Sequence, residues 1–402
     1  MPASSRRLWA LAALAGLGLI VRFTLFPTSD PDTGTFHWCV LCGDLGLADF
    51  IANVILFMPM AAGLSGTGVS WRSTVLVLLA LSTGIELVQL VIPGRESALG
   101  DIFANTSGAA LGAALPAWWP RRRRSGVAGG AATAGVLAIM VGAGLALLLS
   151  LPSSIYYGQW TADLGMYDQY RGRVLSAEIG GLALPSWRLD DSRTVRKRIL
   201  SGVPLEVRVI AGPRTGRVAP VFSIFDERQR EVLVLGADRD DFVLRVRRLA
   251  TGLRLREPDA RWRGAMAGVS PGDTLSLGLR VSRSGLCLRF GARERCDIAL
   301  SAGEAWRLVQ DRPDLSAEAQ LVLEGFFMIL LGLPLGLLSP RRWSGYAAIA
   351  AAVAGVLLLP PLLMLAPTPP IQVACLALGI VAGGLVPEGR QYPNTPVNAI
   401  VT

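Results

Sequence analysis

The chain has 402 residues, of which 51% are hydrophobic and only 17% charged, with a mean hydropathy of +0.46. Its charge is unevenly placed, because residues 152–318 hold 27 of the 39 Lys/Arg and 21 of the 30 Asp/Glu. This excludes both a cytosolic enzyme and a fully embedded bundle, and leaves a membrane protein carrying one water-soluble domain. The net charge of +9 would suit nucleic acid, but the soluble segment, 27 basic against 21 acidic, carries only +6 and has no basic run interleaved with aromatics, so no nucleic-acid partner is expected.

A bilayer core asks for about 20 apolar residues per helix. Eight runs fit, at 8–26, 47–66, 73–92, 101–118, 130–151, 319–338, 344–366 and 370–386. The first follows Arg6-Arg7 and lacks an A-x-A cleavage site, so it reads as an uncleaved anchor. Placing the N-terminus in the cytoplasm puts Arg6, Arg7, Arg72, Arg121 to Arg124, Arg341, Arg342 and Arg390 inside, against Arg22 and Arg95 outside. Residues 27–46, 93–100 and 152–318 are then extracytoplasmic. The cysteines agree: Cys39 and Cys42 fall in the first outer loop and Cys287 and Cys296 in the soluble domain, where disulfides persist. The stretch from Cys287 to Cys296 reads as a β-hairpin bridged at its base.

Polar side chains inside spans are costly and point to function. Asp49 and Asn53 sit four apart in the second span, and Glu86 and Gln89 three apart near the end of the third. Arg95 follows in a short loop, and the fourth span opens with Asp101 and Asn105. At 1.5 Å of rise per residue, Glu86 lies roughly 10 Å below the outer boundary, so all these groups share one depth. Asp101, Asn105, Gly108 and Gly112 form one helical stripe, a polar pair above small residues suited to close packing. Glu86 and Asp101 are placed to accept the Arg95 guanidinium as a buried charge-paired cluster. They are also the candidate catalytic pair, although no nucleophile, metal-ligand spacing or phosphate loop accompanies them, which leans away from an enzyme. Helix register alone is the competing explanation of these groups.

The pattern Asn53–Phe57–Pro59, Ser82–Glu86–Gln89, Arg95 and Asp101–Asn105–Gly108–Gly112 closely resembles the VanZ-like membrane proteins over residues 8–118. That family is named for a protein that raises resistance to the glycopeptide teicoplanin. The loop FHWCVLCG departs from the family pattern. Its Trp38-Cys39-x-x-Cys42, beside His37, admits a plain disulfide or thiol loop, a redox pair or a metal ligand set. No βαβ unit surrounds it and no fourth ligand has an obvious spacing, so neither metal nor cofactor is expected.

Beyond residue 152 the period changes to two. Residues 205–212, 219–227, 231–238, 241–248, 273–282 and 285–291 alternate apolar and polar between turn residues, which predicts an all-β sandwich. The order of these strands is similar to the laminin-G-like, concanavalin-type jelly rolls over about 160–310. That resemblance implies a glycan- or protein-binding module, with Trp160, Tyr167, Tyr170, Trp187 and Trp262 as candidate platforms or as core. Glu324, about five residues into the sixth span, either joins the polar layer or stays in the interface.

The expectation is a polytopic α-helical protein of the bacterial inner membrane with about eight spans and an extracytoplasmic jelly-roll sandwich. Its domains are a VanZ-like unit at 1–126, a fifth helix at 127–151, the sandwich at 152–318, three closing helices at 319–387 and a cytoplasmic tail at 388–402. It contacts membrane lipids and binds a glycan, lipid-linked saccharide or wall precursor through the sandwich and the polar layer. An intramembrane enzyme or flippase-like transporter using Glu86 and Asp101, and a structural envelope scaffold, are the alternatives.

Overall fold

The structure, a computed structural model, describes residues 3–27, 36–122, 125–163, 167–282, 285–296, 298–312 and 315–386. Expectations for residues 28–35, Arg123, Arg124 and the 388–402 tail with Arg390 lie outside the described residues.

Helices α1 (Ala3–Thr24), α2 (Gly46–Thr67), α3 (Trp71–Gln89) and α4 (Leu99–Arg122) form a first bundle. Their ends are set locally. Gly68 closes α2 at a positive φ of 113°, and the Ser70 side chain accepts the Ser73 N–H to start α3. Ile20, Phe57, Leu78, Ile85, Ala109 and Ala113 make the common core. Close approach comes from small residues: a Cβ on Gly108 or Gly112 of α4 would collide with the Val54 or Met58 carbonyl of α2. Two short strands, β1 (Phe36–His37) and β2 (Ser97–Ala98), pair in parallel across one end.

A second bundle holds α5 (Gly126–Ala146) and the three closing helices. Between α5 and those helices the chain builds two antiparallel sheets. Strands β3 (Tyr156–Trp160), β7 (Ala219–Asp226), β8 (Glu231–Asp238), β9 (Asp241–Val246) and β10 (Ala260–Trp262) stand in the order β10-β9-β8-β7-β3. Strands β4 (Arg173–Ile179), β5 (Leu182–Ala183), β6 (Leu205–Ile210), β11 (Thr274–Ser282), β12 (Gly285–Phe290) and β13 (Arg293–Arg295) stand in the order β13-β12-β11-β6-β4-β5. One core joins them, with Val207, Leu277 and Leu288 from the six-stranded sheet packed with Ile224, Leu235 and Phe242 from the five-stranded one. All six predicted runs are strands. The region is not all-β, however: α6 (Ser192–Leu200) and the short α7 (Leu249–Gly252) lie within it, and a 3-10 turn at Ala302–Leu308 ends it. In α6, Val195 and Ile199 are buried four residues apart, Arg196 and Arg198 between them donate to the Leu151 and Ile179 carbonyls, and Lys197 is exposed.

The closing helices are α8 (Ala317–Leu338), α9 (Trp343–Leu358) and α10 (Pro370–Leu385). Helices α8 and α10 interlock through glycines on both sides, where a Cβ on Gly332 or Gly336 would strike α10 backbone and one on Gly379 or Gly383 would strike α8 backbone. Residues of α5, α7, α8, α9, α10 and the 3-10 turn share a separate core.

Five of the described helices are long and apolar enough to cross a membrane: Arg6–Thr24, Gly46–Thr67, Trp71–Gln89, Gly126–Ala146 and Ala317–Leu338. Three of the eight expected spans are not among them: α4, whose first turns carry Asp101 and Asn105, and α9 and α10, which have sixteen residues each. At 1.5 Å per residue α9 and α10 reach about 24 Å, less than a bilayer core of about 30 Å. Pro360 and Pro361 end α9 eight residues before the predicted limit of 366, because proline cannot donate to the preceding turn. Leu8, Leu11, Leu14, Leu76, Phe103, Leu111, Val322, Phe326 and Leu378 stand exposed on the helix surfaces. Water would penalise such faces and lipid would not, so this is a membrane protein.

Candidate functional site

The predicted polar residues meet at the end of the first bundle that faces the sandwich. Helical spacing puts Ser82, Glu86 and Gln89 on one buried face of α3, and Asp49 with Asn53 and Asp101 with Asn105 on α2 and α4. The Asn53 Nδ2 donates to Asp101 Oδ1 at 2.7 Å, and Asn105 Nδ2 donates to Ser82 Oγ at 3.0 Å, so α4 is tied to both neighbours. Glu86, 3% exposed, accepts the Ala98 N–H at 2.9 Å on its carboxylate and the Ser97 hydroxyl at 2.6 Å on its backbone carbonyl. Asp101 lies near enough to Glu86, and Asp49 to Asp101, for their charges to repel, so three carboxylates gather at one end of the bundle. The Asn105 Oδ1 is buried without a hydrogen-bond partner.

Arg95 corrects one expectation. It does not pair with Glu86 or Asp101; its Nε donates to Phe26 O at 2.9 Å and its Nη2 to Phe23 O at 2.8 Å. Gln89 Nε2 likewise donates to Thr24 O at 2.9 Å. The cause is the C-terminus of α1, whose last carbonyls have no partner within the helix. Arg95 and Gln89 therefore finish α1, and the carboxylates keep amide partners.

Two arginines that sequence reading did not single out cover this end. Arg256 Nη2 reaches Asp49 Oδ1 at 3.2 Å, the Arg254 guanidinium donates to Leu41 O, and Ala48 N–H donates to Arg254 O at 3.2 Å. Both come from the loop after α7, more than 200 residues along the chain from Asp49, and nothing in their local sequence marks them. The loop over the site carries a disulfide between Cys39 and Cys42, and a second joins Cys287 to Cys296 across β12 and the end of β13.

Glu324 belongs elsewhere. It accepts Gln372 Nε2 at 2.9 Å, and Gln372 also donates to Ser301 Oγ and accepts the Gly303 N–H, so these groups tie α8, α10 and the 3-10 turn together. Most aromatic candidates of the sandwich also have internal duties. Tyr170 and Trp262 are buried, and Trp262 packs on Phe290 with ring centroids 6.5 Å apart. Trp160 Nε1 donates to Leu184 O, and the Tyr167 hydroxyl donates to Glu231 and accepts from Arg245. Burial lifts the Tyr167 phenol above its ordinary range, so it stays protonated. Trp187 alone of the five is largely exposed, at 75%.

Residues 13–119 match the VanZ/LLP1 family model. The match runs from within α1 to near the end of α4, so the VanZ-like region is the first bundle and the polar groups lie inside it. No curated protein and no solved structure matches the chain.

Proposed function

We infer that the chain is a VanZ-like protein of the bacterial cell envelope that binds the hydroxyl-rich headgroup of a glycan, lipid-linked saccharide or wall precursor at the polar end of the first bundle. We read the membrane as the inner one, with the N-terminus cytoplasmic and the sandwich outside, as the arginine distribution favours. The sandwich, read as laminin-G- or concanavalin-like, stands beside the site as a second surface for the same ligand.

The observation that carries this reading is the set of partners of Glu86 and Asp101. Both hold amide donors rather than a guanidinium, and the half-buried Asp101 keeps lone pairs open to hydroxyl donors while the buried Glu86 sets the charge beside it. Three carboxylates at one end of the bundle are more than helix register needs, and they suit a polyol better than an anionic group. Sugar hydroxyls give many directed donors, and a charge-assisted hydrogen bond is about twice as strong as a neutral one.

The test uses the full chain in lipid nanodiscs with a prenyl-linked disaccharide, and the same prenyl phosphate without sugar as control. The disaccharide should bind and the control should not. Glu86→Gln and Asp101→Asn should each weaken binding roughly tenfold or more, equivalent to about 1.4 kcal/mol, while leaving the unfolding midpoint near the parent's. Unchanged affinity in both variants would remove the site from the function.

A further inference from the structure

The loop roofing the first bundle has no part in headgroup binding as described, yet it is the most exposed chemistry near the site. Trp38 is 81% exposed, Cys39 is exposed and Cys42 half-buried, whereas in the second disulfide Cys287 is fully buried and Cys296 half-buried, so neither of its cysteines is as open as Cys39. The same loop is wedged between four parts of the molecule. Cys39 O accepts the Gly100 N–H of α4 at 3.0 Å, and Gly100 lies so close to Val40 that a Cβ would strike its carbonyl. A Cβ on Gly46 of α2 would likewise strike the Leu41 backbone, and Leu41 O accepts the Arg254 guanidinium from the sandwich side. Just before the loop, β1 pairs with β2, whose Ala98 N–H is held by Glu86.

We propose that Cys39 and Cys42 form a thiol–disulfide exchange site for an external dithiol, and that their oxidation state decides whether this wedge holds. A thiolate of the dithiol attacks the exposed Cys39 Sγ; the Cys39–Cys42 bond breaks and its electron pair leaves on Cys42, which takes a proton. The second thiolate of the dithiol then attacks the mixed disulfide, closes its own disulfide and expels Cys39, which is protonated in turn. Two electrons and two protons pass from the dithiol to the protein. The freed loop keeps its main-chain hydrogen bonds and the Arg254 contact, but the Gly100 hydrogen bond to Cys39 O and the β1–β2 pairing lose the cross-link that fixes them. Exchange at this pair does not rest on the headgroup reading, because it depends only on exposure of the sulfurs and on the wedge.

The experiment treats the purified full chain in detergent micelles, without denaturant, with graded dithiothreitol, followed by acid quench, alkylation and peptide mass spectrometry. Cys39 and Cys42 should become alkylated at a dithiol concentration roughly tenfold or more below that needed for Cys287 and Cys296, since access controls the rate of attack. Amide hydrogen exchange over 97–101 should quicken in the reduced protein and, without reductant, in a Cys39→Ser/Cys42→Ser variant. Should that variant not fold, the reduced parent protein still decides the matter. Reduction of both pairs at the same concentration overturns the exchange site, and ready reduction with unchanged hydrogen exchange at 97–101 overturns its control of the wedge.

Discussion

Replacing Glu86 in two different ways separates its role as a hydrogen-bond acceptor from its charge. Glutamine keeps the length and an acceptor for the Ala98 N–H, now met at 2.9 Å by the carboxylate; leucine keeps the volume and removes the acceptor. With Glu86 3% exposed and Ala98 7%, no water stands ready to replace the lost partner. An orphaned buried N–H costs about 1–3 kcal/mol, which is roughly a 5- to 150-fold change in the folding equilibrium. An average interhelical hydrogen bond in a membrane contributes only about 0.6 kcal/mol, so the orphaned donor is the larger effect. Glu86→Leu should therefore unfold at lower denaturant in mixed micelles, followed by tryptophan fluorescence, with Glu86→Gln within about 1 kcal/mol of the parent. A leucine variant as stable as the parent would refute the reasoning, and so would a glutamine variant that falls as far as leucine.

Three further outcomes concern the sandwich. Burial alone would raise the Asp226 carboxyl, but hydrogen bonds from the Arg230 side chain and from the Arg230 and Arg228 amides outweigh it and hold it below the usual range. A depressed carboxyl stabilises the fold above its unfolded pKa of about 3.9 and loses that stabilisation as pH falls through the folded value. The sandwich transition in thermal melts should thus be level from about pH 7 to 5 and drop below about pH 4, and Asp226→Asn should flatten that acid drop. Trp262→Ala should cost about 3–5 kcal/mol in chemical unfolding, because it empties a core site. Trp187→Ala should stay within about 0.5 kcal/mol and tests ligand contact without disturbing the fold.

Helical and strand periods made much of this architecture readable before any coordinates. The runs at 231–238 and 285–291 are strands as expected, although both are buried along nearly their whole length instead of on alternate residues, and the spacing of Asp101, Gly108 and Gly112 marks a stripe that does pack on α2. Strand β4 was missed because its pairing shifts between Val174 and Ser176, which breaks the alternation, and β10 because three residues carry no period. Partner choice was harder. The depth of Arg95 could be counted, but its preference for Phe23 and Phe26 carbonyls depends on where α1 ends. Arg256 on Asp49 is a meeting of distant segments, which a one-dimensional pattern does not hold.

The way α5 leaves its bundle has a mechanical meaning. Its exit segment is knitted into the sandwich: Leu149 bridges Arg248, Ser150 N–H donates to Arg247 O, and Leu249 N–H donates to Leu148 O. Ala250 of α7 and Leu308 of the 3-10 turn are buried in the same core as α5 and α8. The sandwich is thus bolted to the second bundle, while at Leu41, Ala48 and Asp49 it meets the first through a single loop, by two arginine side chains and one main-chain hydrogen bond. A load on the sandwich is borne by α5 and α8 as one stiff lever, and the compliant joint of the molecule falls at the mouth of the VanZ-like bundle.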